Sequence, residues 1–190
     1  VSAFRLRTAL VALVLALGLT ACGDVNPQDP HVADADNNGD YVQAGPVTYQ
    51  LQISRELNQY STEDSEYVKG IAPGTTPPSP TQEWYGVFLW AKNQTKQVQT
   101  TSDSFEIVDT QGTTYYPVKI NAGVNPFAWT SQALAPLETE PAANTPASEG
   151  PTQGGLVLFK INDTAYANRP LTLYILGAGN QRLGSISLDL

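Results

Sequence analysis

The chain has 190 residues with 14 Pro, 15 Gly, a single Cys and a formal net charge of −8. Two of its ten basic residues, Arg5 and Arg7, fall in the N-terminal leader, so the remainder sets 8 basic against 18 acidic residues, a net of −10. A surface this acidic repels phosphate backbones and offers anionic lipid no basic patch, which excludes nucleic acid as a partner and leaves any membrane attachment to come from elsewhere.

Arg5 and Arg7 precede an apolar run from Ala9 to Leu19. Those eleven residues are too few to cross a bilayer as a helix. A positive n-region followed by a short apolar h-region predicts a signal peptide over 1–21. It ends Leu19-Thr20-Ala21-Cys22-Gly23. This resembles the lipobox of bacterial lipoproteins, a Leu, two small residues and a Cys. The resemblance implies cleavage before Cys22 and a thioether-linked diacylglycerol on it. The expected location is therefore the cell membrane, lipid-anchored, on its extracytoplasmic face. Two acyl chains hold firmly where one holds marginally, since each buried methylene contributes about 0.8 kcal/mol. Cys22 is the only Cys, so no disulfide can form within the chain, although an exported compartment would permit one.

Residues 22–40 carry Asp24, Asp29, Asp34, Asp36 and Asp40, two prolines and no Lys or Arg. With almost no large apolar side chain, burial cannot offset the entropy of ordering them, and a flexible acidic tether is expected. The folded domain is then expected over 41–190. Val47 to Ile53 alternates apolar and polar, as a half-buried strand does. Residues 54–82 hold Glu63, Asp64, Glu66 and the stretch Pro77-Pro78-Ser79-Pro80, read as a long loop with a short helical turn. Trp84 to Ala91 is apolar on both faces, which marks a central strand. Phe105–Val108 and Thr113–Val118 flank Asp109-Thr110-Gln111-Gly112, a hairpin with its turn. Leu134–Glu138 predicts a short edge strand limited by Pro136. After a loop over 139–153, Leu156–Ile161, Leu171–Leu176 and Leu183–Leu190 complete the set. Seven or eight short strands without a long helix predict an all-β fold, an antiparallel β-sandwich.

Particular positions strengthen that expectation. They are Val87 to Asn93, Phe105-x-Ile107-x-Asp109-x-x-Gly112-x-x-Tyr115, Leu134-x-Pro136, Gly155 to Ile161, and Pro170-Leu171-x-Leu173. Residues 84–190 resemble, on these positions, the immunoglobulin-like domains of unknown function in actinobacterial surface lipoproteins. That family usually has Gly after the Pro of the Leu-x-Pro element, where this chain has Leu137. The resemblance implies a fold and no activity.

Candidate chemistry is sparse. Asp34-x-Asp36-x-Asn38-Gly39-Asp40 matches the first half of a calcium loop, so weak calcium binding at Asp34, Asp36, Asn38 and Asp40 stands beside the plainer reading of a solvated tether. The twelfth position is Gly45, where the bidentate Glu belongs. No other cofactor is expected. His31, the only histidine, lies in the tether, where neither a Ser-His-Asp triad nor a zinc site can be built around it. Carboxylates cluster at Glu63, Asp64 and Glu66 and again at Glu138 and Glu140, a pattern common in solvated loops and needed by glycosidases. Tyr116, Phe127 and Trp129 place large rings in or next to a loop, either as plugs for the sandwich or as anchors for a partner. The leading expectation is a non-catalytic surface module that binds a protein or an envelope polymer through these rings. A scaffold lipoprotein without its own ligand is the alternative, and an enzyme using loop carboxylates comes third.

Overall fold

The computed structural model describes residues 33–35 and 39–188. Strand β1 spans Ala33–Ala35. Strands β2 (Tyr41–Ala44) and β3 (Val47–Leu57) form a hairpin whose turn takes Gly45 to φ 62. A helical turn, α1 (Asp64–Tyr67), follows, and then the longest strand, β4 (Gln82–Asn93). Next come β5 (Gln99–Thr100), β6 (Ser104–Val108), β7 (Thr114–Tyr115), β8 (Ala133–Leu134) and β9 (Thr139–Glu140). The turn α2 (Pro146–Glu149) precedes β10 (Gly155–Asn162), β11 (Leu171–Leu176) and β12 (Arg182–Leu188).

Two sheets face each other. One has the order β1-β12-β11-β6-β7, and the other has β10-β4-β3-β2 with β9 also paired to β4. Every ladder is antiparallel except β1 with β12. The expected all-β sandwich is the observed fold. Period-2 alternation explains the core between the sheets: Tyr85, Val87 and Leu89 of β4 meet Ile107, Leu173, Ile175 and Ile186 of the opposite sheet.

The other face of β4 is apolar for a separate reason. Trp84 and Phe88 join Leu57, Tyr67, Leu156 and Leu158 in a second buried cluster on the outer side of the sheet. Residues 64–72 and 117–129 form its cover. Asn125 is fully buried and donates Nδ2 to the carbonyls of Tyr67 at 2.8 Å and Lys69 at 3.0 Å. Asn121 N donates to Gly70 O at 2.7 Å, and Ala72 N to Lys119 O at 2.9 Å. The long loop over 54–82 and the loop that carries Phe127 are thus hydrogen-bonded to each other.

Three expectations need adjustment. The sheet begins before Tyr41, because β1 pairs alongside Gly184–Ile186 of β12. The hairpin keeps its turn, with Asp109 Oδ1 accepting from Gln111 N and Thr113 N, but its second strand ends at Tyr115. There the chain leaves for the other sheet, where Val118 N donates to Leu158 O at 2.7 Å. The strand expected over Leu134–Glu138 does not form: β8 ends at Leu134 and β9 begins at Thr139, with Pro136 and a left-handed Leu137 between them.

Leu137 has φ 70 and an exposed side chain. It stands where the resembled family carries Gly, and a β-carbon in this conformation costs about 1–2 kcal/mol. Leu137→Gly should therefore raise the denaturant midpoint, corresponding to about 0.5–1 kcal/mol after the glycine's added unfolded-state entropy. A lowered midpoint would show that the Leu137 side chain contributes more than its backbone strain removes.

Candidate functional site

The cover protects only part of the outer face of the β10-β4-β3-β2 sheet. Beyond Phe88 the face is open, and cross-strand pairing sets its side chains in rows. Tyr41 pairs with Gln50, and Gln50 pairs with Trp90. The next row runs Gln43, Thr48, Lys92 and Thr139. Strands lie about 4.8 Å apart, so Tyr41 and Trp90 stand roughly 10 Å apart with an amide between them. Together with Gln52 and Gln153 they line a shallow depression of about 310 Å³.

The polar groups here are ordered. Gln52 Nε2 donates to Gln50 Oε1 at 2.7 Å, and Gln50 Nε2 donates to Gly39 O at 2.6 Å. Thr48 Oγ1 donates to Gln43 Oε1 at 2.8 Å. Tyr41 is 69% exposed. Trp90 is half-buried, and its Nε1 is shielded from solvent without an acceptor among the described residues. Lys92 is the only charged side chain in the lining. Such a surface can stack against flat, weakly polar rings and exchange hydrogen bonds with hydroxyls and amides.

The aromatic residues singled out in the sequence lie elsewhere and apart from one another. Trp129 is half-buried against the inter-sheet core, with ring centroids 6.1 Å from Tyr49 and 5.8 Å from Phe105. Its Nε1 donates to Ser102 O at 2.8 Å, and Ser102 N donates to the Tyr49 hydroxyl at 2.6 Å. Burial pushes that phenol up to about 12. Phe127 packs edge-on against Tyr67 at 4.8 Å in the outer cluster. Tyr116 is exposed. Two of the three rings thus hold the structure together, and they belong to different clusters.

Cys22 and His31 lie outside the described residues, as do the calcium candidates Asp36 and Asn38. Asp34 lies in β1, and Asp40 is exposed beside the β2 strand. No group of three or more His, Cys, Asp or Glu side chains is placed to hold a metal among the described residues. Of the loop carboxylates, Asp64 accepts from Arg55 at 2.7 Å and from Asn58 N at 2.9 Å, which fastens the start of the cover. Glu66 pairs with Lys69, and Glu138 accepts from Ala135 N. Glu140 is different: it is buried on β9, its Oε2 has no partner, and burial pushes its carboxyl from 4.5 to about 7.

No family model and no curated protein matches the chain. Solved structures do. The yjhA protein of Bacillus subtilis aligns with a TM-score of 0.53 at 12% identity, over 82% of this chain and 100% of that one. An uncharacterized β-sandwich protein of Clostridium difficile aligns at 0.42 and 14% identity, over 86% of this chain and 99% of that one. The ycdA protein of Bacillus subtilis, a candidate lipoprotein, aligns at 0.44 and 9% identity, over 81% of this chain and 38% of that one. Of these three only the first exceeds 0.5, and at its identity the likeness speaks for the fold alone.

The Tyr41–Gln50–Trp90 row was missed because both faces of Trp84–Ala91 are apolar in sequence. Nothing local says where the cover over one of them stops.

Two outcomes follow. Trp129→Ala should destabilise the domain by at least about 2 kcal/mol, since it removes a ring wedged between Tyr49 and Phe105. A thermal melt unchanged by that substitution would mean the ring is a free surface group. For Glu140 the folded carboxyl titrates above the unfolded one. Its contribution is therefore neutral below pH 4.5, declines as pH rises toward 7, and stays low above it. Melts of the parent and Glu140→Gln should converge near pH 4.5 and separate by pH 7.5, with the variant the more stable. Parallel pH profiles would contradict the assignment.

Proposed function

We propose that this protein is a lipoprotein held by lipid on Cys22 at the extracytoplasmic face of a cell membrane, with a β-sandwich that acts as a non-catalytic binding module for an envelope polymer or protein. The leader, lipobox and lone Cys support the anchor. Among the described residues no helix is long and apolar enough to cross a membrane. The observation that carries the binding reading is the open half of the outer sheet face. There an exposed Tyr41, a half-buried Trp90 and an ordered set of amides occupy a surface the core does not use. A fold needs none of these rings at an exposed end of a sheet, and surfaces held by rigid elements suit recognition.

A scaffold role without a ligand is the second reading. It is favoured by the structural use of Trp129 and Phe127, the rings first in line as partner anchors. In this reading the depression is plain surface.

The anchor is tested in cells. The parent chain should fractionate with membranes at the size left by cleavage before Cys22, and Cys22→Ser should keep its leader and migrate as the larger, uncleaved form. A Cys22→Ser chain processed and retained like the parent would overturn the lipid assignment.

A further inference from the structure

We infer that the open face of the β10-β4-β3-β2 sheet is a binding site for a neutral glycan chain, with Tyr41 and Trp90 as stacking platforms and Gln50, Gln52 and Gln153 as hydroxyl-reading groups. This rests on the binding-module reading and names its ligand class.

The geometry favours an extended chain of rings. Direct pairing across three strands puts Tyr41, Gln50 and Trp90 on one line perpendicular to the strands. Two aromatic groups roughly 10 Å apart can each take a sugar ring of one short oligosaccharide, and the amide between them faces the linkage. Aromatic rings offer large, stiff contact area at small entropic cost, which suits a ligand that buries few apolar atoms.

Chemical type points the same way. The lining mixes aromatic rings with amide groups, Thr hydroxyls and one cation, and contains no carboxylate. Amide side chains donate and accept at once, as sugar hydroxyls do. The chain Gln52→Gln50→Gly39 fixes those amides before a ligand arrives, so less ordering remains to be done on binding. The indole N–H of Trp90 is the independent sign. It is a shielded donor without an acceptor among the described residues, on a side chain that the inter-sheet core does not require. An unmet donor of this kind is rare in folded proteins and calls for an explanation. A small rotation of a half-buried ring toward a sugar oxygen supplies the missing acceptor.

Charge argues for neutrality. The chain after the leader has a net charge of −10, so a polyanionic polymer meets repulsion over most of the surface. Lys92, the one cation in the lining, can donate to hydroxyl or acetamido oxygens.

The test uses the full lipid-carrying chain in mild detergent. It is applied to four solids: cellulose, chitin, peptidoglycan stripped of anionic polymers by acid, and untreated cell walls. Retention on at least one of the first three, with release by the matching soluble oligosaccharide, is expected. Tyr41→Ala, at an exposed position, should weaken that retention about tenfold with an unchanged melting temperature. Trp90→Phe keeps a ring and removes the N–H, and should weaken it severalfold. Retention only on untreated walls would overturn the neutral-glycan assignment and leave the binding-module reading standing. So would Tyr41→Ala and Trp90→Phe chains retained like the parent. Retention on none of the four solids would overturn the neutral-glycan assignment and, with it, the envelope-polymer form of the binding-module reading.

Discussion

One buried amide holds the outer half of this sandwich together. Asn125 sits between two loops far apart in sequence, and its Nδ2 reaches the carbonyls of Tyr67 and Lys69 while its Oδ1 accepts from Phe127 N at 3.0 Å. A buried carbonyl left without a donor costs about 1–3 kcal/mol, so these loops are more stable together than either is alone. Their union seals Trp84, Phe88, Leu156 and Leu158 from water. It also fixes where the seal ends. The Trp90 end of the same strand stays open because the cover, anchored at Tyr67 and Lys69, reaches no further.

The inter-sheet core has its own fastening. Ser102 binds Tyr49 through its N–H and Trp129 through its carbonyl, and its hydroxyl donates to Leu176 O at 2.6 Å. One strand from each sheet, β3 and β11, and the loop that carries Trp129 thus meet at one residue. Gly155 permits the contact, because a β-carbon there would lie 2.7 Å from Trp129 Cε3. Glycine is required by this close approach, since the neighbouring atom belongs to a ring held on both sides.

Much of the fold was legible in the residues. The alternation of Val47–Ile53, the two-sided apolarity of Trp84–Ala91, and the Asp109–Gly112 turn report local geometry, and each falls within the element it predicted, although β3 runs on to Leu57 into the expected loop. What stayed hidden was of longer range. Residues 54–82 read as one loop and Thr113–Val118 as a strand, because the pairing of 64–72 with 117–129 rests on Asn125 and on backbone groups that leave no trace in the local pattern. The aromatic loop shows the same limit. Phe and Trp in a loop signal burial somewhere, but not in which cluster, and Phe127 and Trp129 point to different ones. Conversely, Tyr41 and Trp90 looked like strand residues among others. Only the register of β2 with β3 and of β3 with β4 brings them into one row.

That register bears on where recognition belongs in this molecule. Loops supply binding residues in many folds because a scaffold frees them to vary. Here the long loops are already committed to covering a sheet, with Tyr67, Phe127 and Trp129 packed inward. A surface ring on a strand has the opposite economy of order. Its backbone is fixed by ladder hydrogen bonds, from β3 alone for Tyr41 on the edge strand β2, and its neighbours at i±2 and across the strands are set by pairing. Tyr41 and Trp90 are therefore positioned by the same hydrogen bonds that build the sheet, and the amides between them by a short relay ending at Gly39 O. Interactions so arranged lose little entropy when a partner lands, which matters most for ligands whose individual contacts are weak. Mobility in the loops then has little bearing on affinity, whereas a one-residue slip of β2 against β3 would turn Tyr41 toward the core and dismantle the row.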